Sequence, residues 1–412
     1  MKPMFRSLLV RNYRLWAGCA LISNIGSWMQ RTAQDWLVLT GLTHHDAAAV
    51  GITMSLQFGP QVLLIGPSGY VADRFDRRKV LFCTQGLMGL LALGLGLLTL
   101  SGAAQLWQVY CFALALGCAA AFDTPARQTF VADLVGEEDL SNAVALNSTS
   151  FNLARMVGPA LAGMIIAATG SGWAFVLNGF SFGAVLVALR RLDVSQLHPR
   201  KERVKDRHGS LAAGLRYVWQ REDLRAIMFT IFLISAFGLN FPIFISTMAV
   251  TAFHADASGY GLLTTMMAVG SVCGALMAAG RDKPRLRWIY IGAAVFGLGC
   301  AMAALMPSYW LFGATLVLLG IAAQTITVST NSLVQLSTDP ALRGRVIAIL
   351  MGVLMGSTPV GAPFVGWVAN YFGPRWALGI AALSGFGGAL IGYRLWKKLR
   401  ARGTTMNAPV TP

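Results

Sequence analysis

Apolar residues in this chain arrive in blocks, and that pattern restricts the fold more than any other feature. The run from Val80 to Gly102, "VLFCTQGLMGLLALGLGLLTLSG", contains no charge. As a helix it is long enough to cross about 30 Å of hydrocarbon, which takes about 20 residues. Length alone would suggest about three soluble domains of roughly 150 residues. Only 12% of the residues are charged and 55% are hydrophobic, however, whereas a soluble domain carries about 25% charge. The expected fold class is therefore an all-α integral membrane protein.

The blocks predict twelve spans at 15–41, 47–72, 80–101, 106–132, 141–168, 172–189, 224–252, 258–280, 288–306, 309–333, 344–370 and 375–393. The N-terminus is basic and then apolar, like a secretory signal. It has no small-residue cleavage site and continues for a full span, so it is kept as span 1.

The net charge of +16 raises the possibility of a nucleic-acid partner. Placement argues against it. With the N-terminus inside, 29 of the 33 Lys and Arg residues fall in inner loops, termini or their helix ends; Arg31, Arg127 and Arg155 lie within spans, and Arg375 faces out. This is the positive-inside pattern. It predicts an inner (plasma) membrane protein with both termini cytoplasmic, whose surplus charge meets anionic lipid headgroups rather than DNA. The six cysteines lie in apolar segments without metal-ligand spacing, and only His44 and His45 are neighbours among the five histidines. No metal site is expected. No Gly-Lys-Ser/Thr phosphate loop occurs either, so no cofactor is expected and energy must come from a gradient.

A shift of 203 residues superposes Gly117 on Gly320, Gly158 on Gly361, Gly163 on Gly366, Gly170 on Gly373 and Trp173 on Trp376. Shared oiliness does not align glycine and tryptophan, so the shift implies two related halves of six helices. The expected organisation is an N-terminal bundle, 1–190; a cytoplasmic linker, 191–223, with an amphipathic stretch suited to the membrane surface; a C-terminal bundle, 224–399; and a disordered tail, 400–412. Parallel repeats of this kind are the plan of one large transporter class, with a site between halves near the midplane.

The segment "GYVADRFDRRKVL" packs six charges into the seven residues from Asp73 to Lys79, between spans 2 and 3. The basic residues serve as a positive-inside anchor, but an acid on the inner face is not something topology requires. Here the chain resembles the major facilitator superfamily: Gly69, Asp73, Arg74, Arg78 and Lys79 fill its helix 2 to helix 3 motif, with Asp76 in place of the second glycine. The resemblance implies that Asp73 latches the cytoplasmic side against the N-terminal end of helix 11, where a carboxylate gains roughly 0.3 to 1 kcal/mol. It extends over the whole chain through "NYRLWAGCALISNIGSWMQRTAQDWLVLTGLT", "FDTPARQTF", "ALNSTSFNLARMVGPALAG" and "LRGRVIAILMGVL". These stretches are most similar to the bacterial drug and siderophore exporter group. Gly158, Pro159 and Gly163 resemble the helix 5 motif of drug-proton antiporters, with Ala162 at its first paired glycine, and imply a seal against leak. Small residues and a proline there also serve close helix contact and a bend.

Ionisable side chains inside a membrane cost about 2.5 to 3.5 kcal/mol and mark pathways or pairs. Arg31 with Asp35 on helix 1, and Asp123 with Arg127 on helix 4, are spaced i to i+4; each is either a buried ion pair or a working one. The resemblance also gives Asp123 a role in relaying charge to the arginines of the helix 2 to 3 motif, and so places Asp123 and Arg127 with the cytoplasmic gate. Arg155 on helix 5 has no acid in its own helix. Counted from the inner helix ends, either carboxylate stands some 8 to 9 Å from it in depth, a gap that an arginine side chain can partly close. Asp35, Arg31 and Arg155 are therefore the expected proton-coupling group. Asp35 carries the proton, because desolvation favours the neutral carboxyl and a neighbouring arginine the ionised one.

Gln30, Gln34, Gln57, Asn152, Asn240, Gln324 and Asn331 are the expected polar cavity residues, each equally suited to an interhelical hydrogen bond. Trp28, Trp36, Met54, Phe237, Met351 and Met355 can supply an apolar wall or simply pack. The sequence thus predicts a monomeric secondary transporter that exports a small amphipathic molecule in exchange for protons by alternating access. An importer or uniporter, or a non-transporting sensor, is the alternative; an enzyme is not expected.

Overall fold

The computed structural model describes residues 5–198, 211–279, 285–339 and 342–401. Residues 199–210 of the expected linker and 402–412 of the expected tail lie outside the described residues. Among the described residues the secondary structure is helical throughout, with no strand. The α-helices are α1 Arg11–Trp36, α2 Ala47–Leu63, α3 Ile65–Arg74, α4 Arg77–Leu100, α5 Leu106–Leu134, α6 Glu137–Thr169, α7 Ser171–Arg191, α8 Leu211–Gln220, α9 Glu222–Phe237, α10 Phe241–Thr247, α11 Ala257–Ala279, α12 Leu286–Leu305, α13 Tyr309–Ser337, α14 Arg343–Phe372 and α15 Pro374–Ala401.

Ten spans are long and apolar enough to cross a membrane unaided, and α2 with α3 forms an eleventh, bent by 56°. The bend follows Pro60, which has no N–H to give the Leu56 carbonyl. The twelfth, α1, is 26 residues long but too polar to qualify by hydropathy, because it carries Arg31, Asp35 and several amides. Its length, about 39 Å at 1.5 Å per residue, is ample for a span. Span 7 is also broken, at Gly238–Asn240 between α9 and α10. Spans 1 and 7 both end in a π-helical stretch, Leu37–Leu42 and Met248–Ala252. The short helix α8 ends just before α9 begins, and Leu215 and Trp219 on it are exposed.

Local sequence accounts for several helix ends. The Asp76 carboxylate caps α4 by accepting from the Arg78 amide at 2.9 Å, and Asp256 caps α11 by accepting from the Gly259 amide at 2.8 Å. Gly170 and Gly373 end α6 and α14 at φ of +90° and +98°, where a side chain would be strained.

Two compact units emerge. The first comprises Met1–His44, Leu56–Val204 and Ala255–Thr265; the second comprises His45–Ser55, Lys205–His254 and Met266–Pro412. The first packs Tyr13, Trp16, Leu81, Phe130, Leu134 and Leu189 into a buried apolar core at the end of the unit where α1 begins. That end is pinned by side chains: Ser7 donates to Asn142 at 2.7 Å, Arg6 pairs with Asp139 at 2.8 Å, and Tyr13 donates to the Ala143 carbonyl at 2.8 Å. The second buries Phe244, Phe296 and Phe312 completely. At its α8–α9 corner, Arg221 pairs with Asp223 at 2.6 Å and donates to the Ser337 carbonyl at 2.7 Å.

The repeat seen in the sequence is also a repeat of close contacts. Gly117 on α5 faces the Gln57 carbonyl of α2, and Gly320 on α13 faces the Met267 carbonyl of α11. Gly158 on α6 receives the Ile25 carbonyl of α1, while Gly361 on α14 receives the Ala236 carbonyl of α9. Gly163 meets Ala257 at the start of α11, and Gly366 meets Ala47 at the start of α2. Hydroxyls repeat as well: Thr265 donates to the Met156 carbonyl at 3.3 Å, and Ser55 to the Pro359 carbonyl at 3.0 Å. The Pro359 carbonyl is free to accept because Pro363, four residues on, has no N–H.

Candidate functional site

Among the described residues, the charged groups in the interiors of the long apolar helices lie in the first unit, and their surroundings differ. The Asp123 carboxylate accepts from Thr84 at 2.8 Å and Gln85 at 2.6 Å, both on α4, and pairs with Arg127 at 3.1 Å. Arg127 also donates to Asn24 of α1 at 3.0 Å and lies over the Trp16 ring at 6.0 Å. The Asp123 carboxylate is thus well supplied with donors, the arrangement a buried carboxylate needs, while Gln85 Oε1 is left buried without a partner. It does not reach the arginines of the 69–79 motif. The motif arginine that meets an α5 acid is Arg77, whose guanidinium lies 2.6 Å from Asp133. Asp133 lies near the C-terminal end of α5, ten residues beyond Asp123.

Within the motif, a Cβ on Gly69 would meet open space, so no close backbone approach requires glycine there. Asp73 lies exposed in the last turn of α3 and Lys79 is exposed in α4. Arg74 lies over the Tyr70 ring at 5.7 Å. Arg78 donates to the Leu189 carbonyl at the end of α7, at 2.7 Å.

On α1 the i to i+4 spacing of Arg31 and Asp35 does not produce an ion pair. The Arg31 guanidinium instead lies over Trp28 at 5.0 Å and Phe58 at 5.3 Å, an attraction worth about 0.5 to 2 kcal/mol. Asp35 is buried at 8% exposure, and no hydrogen bond or salt bridge engages its carboxylate among the described residues. Gln34 is buried with its Oε1 unpartnered, whereas Gln30 accepts from Asn178 of α7 at 2.5 Å.

Arg155 is half-buried on α6 with no hydrogen bond or ion pair among the described residues. Its depth relative to Asp35 follows from packing. A Cβ on Gly158 would stand 2.6 Å from the Trp28 Cβ and 3.0 Å from the Met29 nitrogen, so these positions are level. Asp35 is seven residues above Trp28 and Arg155 three below Gly158, which separates them by about 15 Å along the helices. This corrects the 8 to 9 Å obtained by counting from the inner ends, because α1 and α6 begin at different depths. Asp35 is too far above Arg155 for an ion pair in this structure.

The helix 5 motif is where the first unit closes on itself. Gly158 admits α1, and Gly163 admits the start of α11, whose Gly261 would place a Cβ 2.6 Å from the Pro159 carbonyl. Of the remaining polar candidates, Asn152, Asn240 and Asn331 have local partners. Asn152 donates to the Ser148 carbonyl at 2.9 Å, and Gln57, whose carbonyl faces Gly117, is half-buried on α2. In the second unit Asn240 donates to Ala236 at 2.6 Å and leaves its Oδ1 buried without a partner; Asn331 accepts from Gln335 at 3.2 Å, and Gln324 is half-buried. Among the apolar candidates, Phe237 stacks edge-on to Phe364 at 5.8 Å. Thr84, Gln85, Asn178 and Asp133 escaped sequence reasoning. Only Asp133 carried a signal, an acid beside a basic inner loop.

No group of three or more His, Cys, Asp or Glu side chains placed to hold a metal occurs among the described residues.

The family described as transmembrane secretion effector matches residues 5–408. The staphyloferrin A transporter of Staphylococcus aureus is 25% identical over 385 residues, covering 92% of this chain and 94% of that protein. The enterobactin exporter EntS of Citrobacter koseri is 26% identical over 358 residues, covering 85% and 83%. A bacterial homolog of the human lysosomal transporter Spinster, in an inward-facing and occupied conformation, shares the fold with a TM-score of 0.75 at 14% identity, covering 93% and 96%. The nucleoside transporter NupG shares it with a TM-score of 0.73 at 13% identity, covering 94% and 99%. With twelve spans, a contact-level repeat and a family match over nearly its whole length, this chain belongs to the transmembrane secretion effector family of major facilitator superfamily transporters.

Proposed function

We propose that this transporter exports a small amphipathic organic compound, of drug or siderophore type, in exchange for protons by alternating access. One observation carries the reading: Asp35 lies buried without an ion pair, one turn above an arginine that aromatic rings hold in place. A carboxyl in such a place can take up a proton when sequestered and give it up when water or the arginine approaches. Intramembrane ions that are neither paired nor hydrogen-bonded are costly, and function is the usual reason to keep them.

Arg155, about 15 Å deeper, is then left for cargo. A guanidinium without a protein acid beside it suits an anionic substrate group, carboxylate or phenolate, in bidentate geometry. The relatives named for staphyloferrin A and enterobactin support an organic metal-chelating cargo, and the exporter among them supports outward movement. Both termini are placed in the cytoplasm by the positive-inside rule, with Asp73 and its basic neighbours at the inner gate and Gly158, Pro159 and Gly163 at the helix 5 seal. The protein works as a monomer in this reading.

Everted membrane vesicles test it. An acid-inside gradient should drive labelled siderophore or dye into vesicles carrying the wild-type protein, and Asp35→Asn should abolish that uptake while leaving the protein inserted. Undiminished gradient-driven uptake by Asp35→Asn would sink the assignment. Uptake that runs only down the substrate gradient, indifferent to protons, would mean a uniporter.

A further inference from the structure

Tyr260 lies in the first turns of α11, the part of that helix that belongs to the first unit with α1 and α6. It is buried at 1% exposure. Its ring stacks on Trp36, the chain neighbour of Asp35, with centroids 5.8 Å apart and planes 20° apart. Arg31, one turn below Asp35, is the remaining charge on this face of α1. The segment that carries Tyr260 is pressed onto α6: a Cβ on Gly163 would stand 2.8 Å from the Ala257 carbonyl, and Thr265 donates to Met156 at 3.3 Å. The ring therefore cannot withdraw from Trp36 unless the start of α11 leaves α6.

The internal repeat supplies a control. The equivalent contacts of Ile25 and Ala236, and of the two π-helical stretches, set an offset of 211 between spans 1 and 7, which pairs Asp35 with Ser246. Gly51 and Gly261, and the residues Asp46 and Asp256 that begin the two helices, set an offset of 210 between α2 and α11, which pairs Tyr260 with Val50. Ser246 and Val50 are both buried completely. Where the second unit has no acid it also has no tyrosine, and a valine fills the space. Packing alone does not call for a phenol.

We propose that Tyr260 is a positioning residue of the proton site, whose ring on Trp36 walls Asp35 off from the outer face while the start of α11 lies on α6. Protons then reach the carboxylate from outside only after that segment lifts. The inference rests on Asp35 as the proton carrier and adds the residue that controls its outer access.

The test uses the purified full-length protein in liposomes with a trapped pH dye and an imposed potential, without substrate. Tyr260→Ala should leak protons several-fold faster than wild type, and Tyr260→Phe, which keeps the ring, should be tight. Adding Asp35→Asn to Tyr260→Ala should close the leak, and Val50→Ala at the equivalent position should be as tight as wild type. If Tyr260→Ala does not survive purification, Tyr260→Val replaces it, because valine is tolerated at the duplicate position. A tight Tyr260→Ala or Tyr260→Val overturns the proposal, and so does a leak that persists with Asp35→Asn. Gradient-driven export by the Asp35→Asn single variant is a separate readout, and its survival would sink the coupling reading itself.

Discussion

Asp123 and Asp35 show how differently two acids of similar sequence setting are treated. Both sit four residues from an arginine, and spacing alone makes them alike. In the fold, Asp123 meets Thr84, Gln85 and Arg127, whereas Asp35 meets none of these partner types. Asp123 should therefore behave as a structural acid. Asp123→Ala leaves the half-buried Arg127 without its carboxylate, with Asn24 as its remaining partner, and should cost up to about 3 kcal/mol. Asp123→Leu with Arg127→Met, which removes both charges, should lose much less than the sum of the single changes. Thermal unfolding in detergent of the two single variants and the double variant checks this, and strict additivity would contradict it. The difference between the acids was not legible in the sequence, because Thr84 and Gln85 reach Asp123 across an interhelical contact that no local pattern encodes. The depth of Arg155 relative to Asp35 was hidden for the same reason. It depends on Trp28 nesting at Gly158, a register that counting along single helices cannot supply.

Helices, by contrast, were largely readable. Blocks of apolar residues bounded by charge located all twelve spans, because the bilayer fixes their length. What escaped was how spans 2 and 7 break, although Pro60 and the Gly238–Asn240 turn are visible in retrospect as missing donors and a flexible joint. Connections between elements depend on polar side chains, and one responds to pH. The turn that follows α7 is tied to α1 by paired hydrogen bonds between Asn12 and the Asp193 backbone, 2.9 and 3.0 Å long. Hydrogen bonds to the Asp193 carboxylate from the Ser195 hydroxyl first, then from the Ser195 amide, hold its pKa below the usual carboxylate range. A lowered folded pKa means that the stabilisation is fully present above the unfolded value of about 3.9 and is lost as pH falls through the folded one. Hydrogen exchange at the Ser195 amide should be slow at neutral pH and should accelerate, relative to the intrinsic rate, only under strongly acid conditions. In Ser195→Ala the acceleration should begin at higher pH.

At the scale of the whole molecule, the two halves repeat their contacts and not merely their composition. Gly163 and Gly366 each receive the backbone at the start of a helix, Ala257 in one unit and Ala47 in the other. Each glycine-to-alanine change at these positions should lower stability by about 1 to 3 kcal/mol, since overpacking at a backbone contact forces the helices apart. The two should match in sign and approximate size, while Gly69→Ala, which meets open space, should leave the melting temperature nearly unchanged. A loss confined to one member of the pair would break the equivalence. The glycine and tryptophan offset made this repeat legible from the sequence, whereas the asymmetry laid over it emerges only when equivalent positions are compared in space. Asp35 and Tyr260 face Ser246 and Val50 across the duplication, so one ancestral template now exists in an ionic copy and a neutral one. If Asp35 couples protons as proposed, substitutions in the neutral copy can reshape the molecule without touching that carboxylate.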